Sequence, residues 1–306
     1  MHAIVVSTYG DSSVLDYTER PDPQPGPGEV VVDVAASGVN FIDVYHREGR
    51  YPLPLPLIPG SEGAGTVTAV GPGVTDIVPG DRVAWAGVIG SYASKAVIPA
   101  ERAVLLPDGV SAELAAAVML QGMTAHYLTH STYAIKQGDD VLIHAAAGGM
   151  GLLLTQMAKL RGARVIGTVS TPEKEKLARQ AGADEVIGYE DFAAKVKEIT
   201  GSGVHVVYDG VGAATFEGSL ASLRPRGLLA LYGAASGPVP PFDPQRLNAA
   251  GSLFLTRPSL NHYIATREEL LWRAGDVLGW VASGALKVHI SQRYPLAEAR
   301  RAHDDL

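Results

Sequence analysis

The chain has 306 residues, 46% of them hydrophobic and 19% charged, and a formal net charge of −7 at pH 7. This length predicts two domains rather than one. The sequence contains no run of about 18 apolar residues, the length that a membrane-spanning helix requires. Its negative net charge indicates no broad basic surface for nucleic acid. The first seven residues have no basic segment before the apolar one, so we expect a first strand rather than a signal peptide, and a cytoplasmic protein.

The first 120 residues contain short β-branched runs separated by glycine and proline, for example residues 29–34 and 65–70. Strands at this spacing are typical of a compact β barrel or sandwich-like domain. Near Ser111 the pattern changes, because Ser111 is a suitable N-cap for a small-residue helix over residues 112–120.

From residue 141 onwards, strands and helices alternate. The predicted strands are 141–143, 164–169, 185–187, 204–209 and 227–233, and the predicted helices follow Gly151 and occupy 172–180, 191–200 and about 215–223. This alternation predicts a doubly wound parallel sheet with ligands at the carboxyl ends of its strands. Thr266 and Glu269 have capping-box spacing and open a long helix towards Ser283. Residues 286–290 are then predicted to form a strand that returns to the first domain.

The most informative stretch is the apolar run at 141–143, which breaks into glycines and continues as a helix. Small residues at Ala145, Gly148 and Gly151 allow the backbone to approach a pyrophosphate at the helix N-terminus, where unpaired N–H groups favour an anion. A glycine-rich turn alone is often an ordinary turn. With a strand before it and a helix after it, the turn indicates a dinucleotide site.

The end of the second strand of this predicted sheet indicates which dinucleotide binds. A site for the unphosphorylated form usually has an Asp or Glu there, whereas this chain has Ser170 and Thr171, followed by Lys174. Hydroxyls and an ammonium group can bind a 2′-phosphate that a carboxylate would repel. We therefore predict NADPH. Helix capping by the two hydroxyls and a plain solvated lysine are the alternatives.

Five motifs occur in order along the chain: GVNFIDVY at 38–45 followed by YP at 51–52, GSEGAG at 60–65, HAAAGGMG at 144–151, YDGVG at 208–212 and TRPSL at 256–260. Together they resemble the quinone oxidoreductase (zeta-crystallin-like) branch of the medium-chain dehydrogenase/reductase superfamily, over essentially the whole chain. The resemblance implies an α/β fold with two domains. A GroES-like β domain takes residues 1–121 and 260–306, and a Rossmann doubly wound parallel sheet takes residues 122–259.

The resemblance also bears on metal binding. Zinc-dependent alcohol dehydrogenases of the superfamily carry Cys, His and Cys at positions that correspond by motif to Asn40, Ser61 and Gln121. Neutral hydroxyl and amide groups are poor zinc ligands, and the absence of cysteine removes thiolate ligands altogether. The nine histidines are dispersed along the chain. We therefore predict no metal.

Without a Lewis acid, the reduction of an isolated ketone lacks its main means of stabilising the developing alkoxide. A quinone or conjugated enone needs less help, because delocalisation spreads the charge that arrives with the hydride. The resemblance implies that Asn40, Asp43, Tyr45 and Tyr51 line the acceptor side of the cleft. The alternatives are that Asp43 only caps a helix and that either tyrosine belongs to the core or the rim.

The resemblance further implies a set of cofactor contacts: Asn40, Gln121, Thr124, Ala147, Gly148, Gly149, Met150, Gly151, Ser170, Thr171, Lys174, Tyr189, Gly233 and Ala234. A strand at residues 252–255 resembles the family's dimer-forming edge and predicts a homodimer, although a loop could equally cover such an edge. Family chains usually continue beyond the helix at 299–304 into a closing strand, whereas this sequence ends at Leu306.

The leading hypothesis is an NADPH-dependent quinone reductase that transfers hydride to a planar acceptor. Reduction of the double bond of 2-alkenals or enones uses the same donor and the same zinc-free cleft. A protein that binds NADPH without catalysis, crystallin-like or RNA-binding, is the alternative from another class. The acidic charge and the lack of a basic, aromatic-interleaved stripe count against nucleic acid, and no membrane partner is expected.

Overall fold

The computed structural model describes residues 1–306 and divides into two compact units. Unit 1 comprises residues 1–123 and 264–306, and unit 2 comprises residues 124–263. The functional domain boundaries inferred from the sequence stay a prediction. None of the helices combines the length and the apolar character that a membrane crossing requires.

Unit 1 is built from short strands and a few helices. Its strands are β1 (His2–Val5), β2 (Asp16–Glu19), β3 (Glu29–Ser37), β4 (Glu62–Val70), β5 (Arg82–Ala86), β6 (Lys95–Pro99) and β7 (Val104–Leu105). Its helices are α1 (Phe41–Arg47), α2 (Ala112–Ala116), the first part of α3 (Met119–Tyr127), α10 (Arg267–Ala282) and α11 (Ala299–Asp304). Short 3₁₀ turns lie at Ser12–Val14, Ala100–Arg102 and Leu296–Glu298.

The main sheet of unit 1 is antiparallel and has the order β6-β3-β4-β5-β7. Its β-branched residues pack around the fully buried Trp85, with Val30, Val32 and Ile98 in the same cluster. Burial of such side chains is the main favourable term in folding. The compact β domain predicted from the strand spacing is confirmed, and its sheet carries the segments before α1 and around β4 where polar side chains converge.

Unit 2 contains the remaining elements. They are the end of α3, a π-helical turn (Leu128–Thr132), β8 (Asp140–Ile143), α4 (Gly149–Leu160), β9 (Arg164–Thr168), α5 (Pro172–Gln180), β10 (Glu185–Ile187), α6 (Phe192–Thr200), β11 (Val204–Asp209), α7 (Phe216–Ser222), β12 (Leu223–Leu231), α8 (Gln245–Ala249), β13 (Phe254–Thr256) and α9 (Leu260–Tyr263). The six strands pair in parallel in the order β10-β9-β8-β11-β12-β13. This is the predicted doubly wound Rossmann order.

Central strands of this sheet are apolar on both faces because helices cover both. Val141, Leu142 and Ile143 of β8 are all fully buried, as parallel strands require. The order of strands reverses between β8 and β11, which are hydrogen-bonded neighbours. Ligands of such sheets bind at this reversal, beyond the carboxyl ends of the strands.

Three predicted elements differ from the structure. The helix predicted over 112–120 ends at Ala116 and a new helix begins at Met119. The strand predicted at 252–255 begins only at Phe254, because Ser252 takes a left-handed backbone with φ of 57°. The strand predicted at 286–290 is wrong: apolar and polar residues alternate there, but no neighbouring strand pairs with the segment.

Candidate active site

The turn after β8 forms an anion-binding cradle. Gly148 is the N-cap of α4 and no side chain caps the helix, so its first backbone N–H groups can receive an anion together with the positive end of the helix dipole. A Cβ on Gly151 would lie 2.3 Å from the carbonyl oxygen of Ala145 and 2.6 Å from Cα of Ala146. Only glycine therefore fits where the turn packs on the helix. Ala147 and Met150 are half-buried in this turn, and Gly149 is exposed.

Tyr189 fixes the start of this turn. Its hydroxyl oxygen accepts the N–H of Ala145 at 3.0 Å, and its ring stacks near that of His144 with centroids 6.0 Å apart. Ala145 itself has φ of 49°, a left-handed backbone that costs energy for a residue with a Cβ. The Tyr189 hydroxyl proton stays available to donate to a ligand.

The residues predicted to bind the 2′-phosphate lie together at the surface beyond β9. Nζ of Lys174 donates to the hydroxyl of Ser170 at 3.3 Å, and the Thr171 hydroxyl accepts the N–H of Lys174 at 3.3 Å as N-cap of α5. The capping alternative thus describes Thr171, whereas Ser170 is not the cap. All three residues are exposed, and no carboxylate occupies the end of β9.

A buried polar chain that sequence analysis missed joins the ends of the central strands. Nε2 of His144 lies 2.9 Å from the Ser219 hydroxyl, and Nδ1 lies 2.9 Å from the Thr168 hydroxyl. The Ser219 hydroxyl donates to Asp209 at 2.7 Å. Because the Ser219 hydroxyl donates its proton to Asp209, it can only accept from His144. His144 therefore donates from Nε2 and accepts from Thr168 at Nδ1. Burial lowers the pKa of His144 to about 4, so the ring is neutral.

Asp209 also shapes the loop after β11. Its Oδ1 accepts the backbone N–H groups of Val211 at 2.8 Å and Gly212 at 3.0 Å. The next strand approaches closely, since a Cβ on Gly233 would lie 2.4 Å from the carbonyl oxygen of Gly210. Gly233 and Ala234, just beyond the end of β12, therefore border this loop. The motif YDGVG was the available sequence signal for this arrangement.

In unit 1, two of the positions that carry zinc ligands in zinc-dependent members of the superfamily, Asn40 and Ser61, are hydrogen-bonded to buried carboxyl groups. The third, Gln121, is hydrogen-bonded to Asn40. Asn40 donates from Nδ2 to Oε1 of Glu62 at 2.6 Å and accepts at Oδ1 from Nε2 of Gln121 at 3.0 Å. The Ser61 hydroxyl donates to Oδ1 of Asp43 at 2.6 Å. No group of three or more His, Cys, Asp or Glu side chains is placed to hold a metal ion.

Asp43 has no exposed surface. Besides Ser61, it accepts the N–H of Asn40 at 3.0 Å and the hydroxyl of Tyr92 at 3.4 Å. Burial raises the pKa of Asp43 to about 6, and these hydrogen bonds oppose the rise. The helix-capping alternative describes this carboxylate, because it accepts the backbone N–H of Asn40, the N-cap of α1.

A chain of hydrogen bonds supports Asp43 from the last helix of the protein. His303 of α11 lies 3.1 Å from the Tyr92 hydroxyl through Nε2 and 3.1 Å from Nη1 of Arg47 through Nδ1. Arginine only donates, so Nδ1 accepts, Nε2–H donates to Tyr92, and Tyr92 donates to Asp43. No motif in the sequence pointed to His303.

The two predicted acceptor-side tyrosines form one aromatic surface. Tyr45 is buried and its ring stands edge-on to Tyr51, with centroids 5.6 Å apart. Tyr51 is 44% exposed and Phe41, which the sequence analysis did not single out, is 45% exposed. Thr124, at the start of unit 2, is buried on α3. The exposed rings suit stacking against a flat conjugated ligand.

Comparison with known proteins agrees with this architecture. The family model "Alcohol dehydrogenase GroES-like domain" matches residues 26–108, and "Zinc-binding dehydrogenase" matches residues 149–270. A quinone oxidoreductase of Pseudomonas aeruginosa is 49% identical over 99% of this chain and 95% of its own length. A 2-haloacrylate reductase of a Burkholderia species is 44% identical over 98% of this chain and 94% of its own length.

A solved structure extends the likeness to three dimensions. The quinone oxidoreductase of Escherichia coli, complexed with NADPH, superimposes with a TM-score of 0.97 at 46% identity and covers 99% of this chain and 95% of its own. The resemblance inferred from the five motifs is thereby confirmed. The chain belongs to the quinone oxidoreductase family of medium-chain dehydrogenases/reductases.

Proposed function

We propose that this protein is an NADPH-dependent quinone oxidoreductase that works without zinc. The observation that carries the proposal is the pairing of an uncapped glycine cradle after β8 with the hydroxyl and ammonium cluster of Ser170, Thr171 and Lys174. A cradle of this kind fits a pyrophosphate, and the cluster fits a 2′-phosphate. The relatives named quinone oxidoreductase, one of them solved with NADPH, support the same conclusion.

When bound, NADPH supplies a hydride from C4 of its nicotinamide ring. The cradle at 147–151, together with Tyr189, would hold the pyrophosphate and adenosine side. Gly233 and Ala234 would leave room for the nicotinamide ribose, while Thr124 and Gln121 would contact the ring and its carboxamide. These roles orient the cofactor and require no charged catalyst.

Asn40, Tyr45 and Tyr51 would bind the acceptor. An N–H of Asn40 that is not used by Glu62 can donate to an acceptor carbonyl, and the tyrosine rings can stack on a flat ring system. Asp43 would hold the Asn40 backbone and Ser61 rather than touch substrate. A quinone needs only this positioning and the exclusion of water, because its conjugation spreads the incoming charge.

Reduction of an activated double bond is the second candidate. The observation in its favour is the relative named 2-haloacrylate reductase, at 44% identity over nearly the whole chain. Both acceptors are planar and conjugated, so the same surface suits both. Turnover of a quinone and of a 2-alkenal, measured side by side with NADPH at equal concentration, tests the proposal. Faster reduction of the alkenal would reverse our order, and NADPH binding without oxidation by either would support a non-catalytic protein.

We also propose a homodimer that forms through β13, in the cytoplasm, with no nucleic-acid partner. β13 is an edge strand that pairs only with β12, and its Phe254 is 59% exposed. An unpaired edge with an exposed aromatic residue is suited to pairing with a second copy of the chain. The net charge of −7 disfavours a polyanionic partner.

A further inference from the structure

Glu62 is a buried carboxyl group with two fixed partners. Glu62 is only 1% exposed. Oε2 accepts the backbone N–H of Leu120 at 2.7 Å, and Oε1 accepts Nδ2 of Asn40 at 2.6 Å. A Cβ on Gly38 would lie 2.2 Å from Oε1 of Glu62, so the glycine leaves the space that the carboxyl group occupies. The proposed roles of Asn40 and Gln121 do not yet explain why the fold places a carboxyl group here.

The partners of Glu62 determine a direction for two amides. Burial raises the pKa of Glu62 to about 8. Above that pH both carboxyl oxygens only accept, so Asn40 must turn its NH₂ group towards Glu62 and its Oδ1 away. Oδ1 then faces Gln121, which must offer Nε2. The Gln121 carbonyl oxygen is consequently left as an acceptor that Asn40 does not use. The hydrogen bond to Glu62 thus sets the direction of Asn40, and the hydrogen bond to Asn40 sets the direction of Gln121.

The direction matters because an amide group is nearly symmetric in shape. A half-turn of Asn40 or Gln121 exchanges N–H and C=O with almost no change in volume. Packing therefore cannot select one direction, whereas an acceptor-only partner can. Burial of a polar group without its hydrogen bond is costly, so a change at Glu62 is expected to propagate through Asn40 to Gln121.

We propose that Glu62 is a positioning residue that acts through Asn40 to hold Gln121 with its carbonyl oxygen directed away from Asn40, as an acceptor for a ligand. The catalytic consequence rests on the proposed function. The direction of the amides is a property of the protein alone and can be measured without substrate.

The decisive substitution is Glu62→Gln, which keeps the shape of the side chain. The N–H of Leu120 is fixed by the backbone, so the new amide must place its oxygen there and its NH₂ group towards Asn40. Asn40 is then expected to flip, and Gln121 with it. Above pH 8, where Glu62 is ionised, we expect kcat with a quinone to fall by about tenfold or more, the loss typical of one misdirected hydrogen bond. Glu113→Gln, at an exposed glutamate of α2, is the matched control and should leave kcat unchanged.

A second substitution distinguishes this relay from a merely structural role. Asn40→Asp in the Glu62→Gln background gives an acceptor to which both the new amide at position 62 and Gln121 can donate, which restores the original direction of Gln121. Asn40→Asp also removes the N–H proposed to bind the acceptor carbonyl, so the readout of the double variant is the direction of Gln121 rather than kcat. A Gln121 side chain that keeps its Glu62→Gln direction in the double variant would overturn the proposal.

NMR of protein labelled with [¹⁵N]glutamine gives the readout that does not depend on activity. In Glu62→Gln, the new side-chain NH₂ group should exchange slowly, because it donates to Asn40, and the Gln121 amide signals should move. They should return towards their original positions in the double variant. A rapidly exchanging new amide with unmoved Gln121 signals would refute the proposal. If the protein without substitutions reduces no quinone, the proposed function is refuted. The NMR result still tests the role of Glu62, because it does not depend on activity.

Discussion

The hydroxyl oxygen of Tyr189 accepts the backbone N–H of Ala145 at 3.0 Å, which joins the loop after β10 to the glycine turn after β8. Ala145 holds a left-handed backbone, so the turn depends on support from outside itself. The same hydroxyl has a proton left to donate. Tyr189 therefore has two separable roles, anchoring the turn and binding the cofactor.

Tyr189→Phe separates these roles. If the hydroxyl also binds the 2′-phosphate, we expect the NADPH dissociation constant to rise by about tenfold and the NADH constant to rise less. Fluorescence titration with each cofactor measures both. Tyr17→Phe, at an exposed tyrosine of β2, is the control. Equal losses for the two cofactors would mean that Tyr189 acts only as an anchor.

Lys174→Ala tests the choice of cofactor. Lys174 donates to Ser170 at the surface, and its ammonium group would pair with the 2′-phosphate that NADH lacks. NADPH affinity is expected to fall by about tenfold or more, with little change for NADH. Lys176→Ala, an exposed lysine of the same helix, should change neither. Identical losses for NADPH and NADH would contradict the 2′-phosphate assignment.

Gly151→Ala tests the cradle. The added Cβ would lie 2.3 Å from the carbonyl oxygen of Ala145, so the turn must move away from α4. We expect NADPH binding to be lost and the free energy of unfolding to fall by about 1–3 kcal/mol. Gly275→Ala in α10 has open space around its Cβ and should instead stabilise the protein by about 0.5–1 kcal/mol. Normal NADPH binding by Gly151→Ala would show that the cradle does not hold the cofactor.

His303→Gln tests the hydrogen bonds that support Asp43. Burial, with the nearby Arg47 charge, lowers the pKa of His303 from 6.5 to about 4. The unfolded chain therefore takes up this proton at a higher pH than the folded chain, and stability contributed by neutral His303 is complete above pH 6.5 and is lost as the pH falls towards 4. The loss through this group is about 2–3 kcal/mol.

Urea unfolding at several pH values measures this effect. Glutamine can accept from Arg47 and donate to Tyr92 but does not titrate. The stability of the variant should consequently fall less than that of the original chain between pH 6.5 and 4. Because Asp43, Glu62 and His144 titrate in both chains, the comparison isolates His303. Parallel stability curves would contradict the assignment.

Phe254→Lys tests the proposed dimer. A lysine on the exposed edge of β13 disfavours strand pairing between copies, so sedimentation should show a shift from dimer to monomer. Leu160→Lys, at an exposed position of α4, is the control and should leave the assembly unchanged. A dimer that persists in Phe254→Lys would place the interface elsewhere.

Short sequence patterns predicted those elements whose structure depends on residues close together in the sequence. The apolar run at 141–143 and the glycines after it specified β8 and the cradle, and Ser170 with Lys174 proved to be neighbours. The contact of His144 with Ser219 and the chain from Asp43 through Tyr92 to His303 could not be found this way, because these residues are far apart in sequence. The prediction of a strand at 286–290 was wrong for a related reason. Alternating apolar and polar residues indicate which side of a strand would be buried, but they do not show that a partner strand lies beside it.

The cluster of Ser170, Thr171 and Lys174 makes no hydrogen bond to the buried chain of Thr168, His144, Ser219 and Asp209 that fixes the sheet ends. Substitutions at Ser170 and Lys174 that exchange one cofactor for the other can therefore accumulate at the surface while the buried chain stays intact, whereas Thr171 also caps α5. Cofactor preference is thus a trait that drift or selection can alter on this scaffold independently of its architecture.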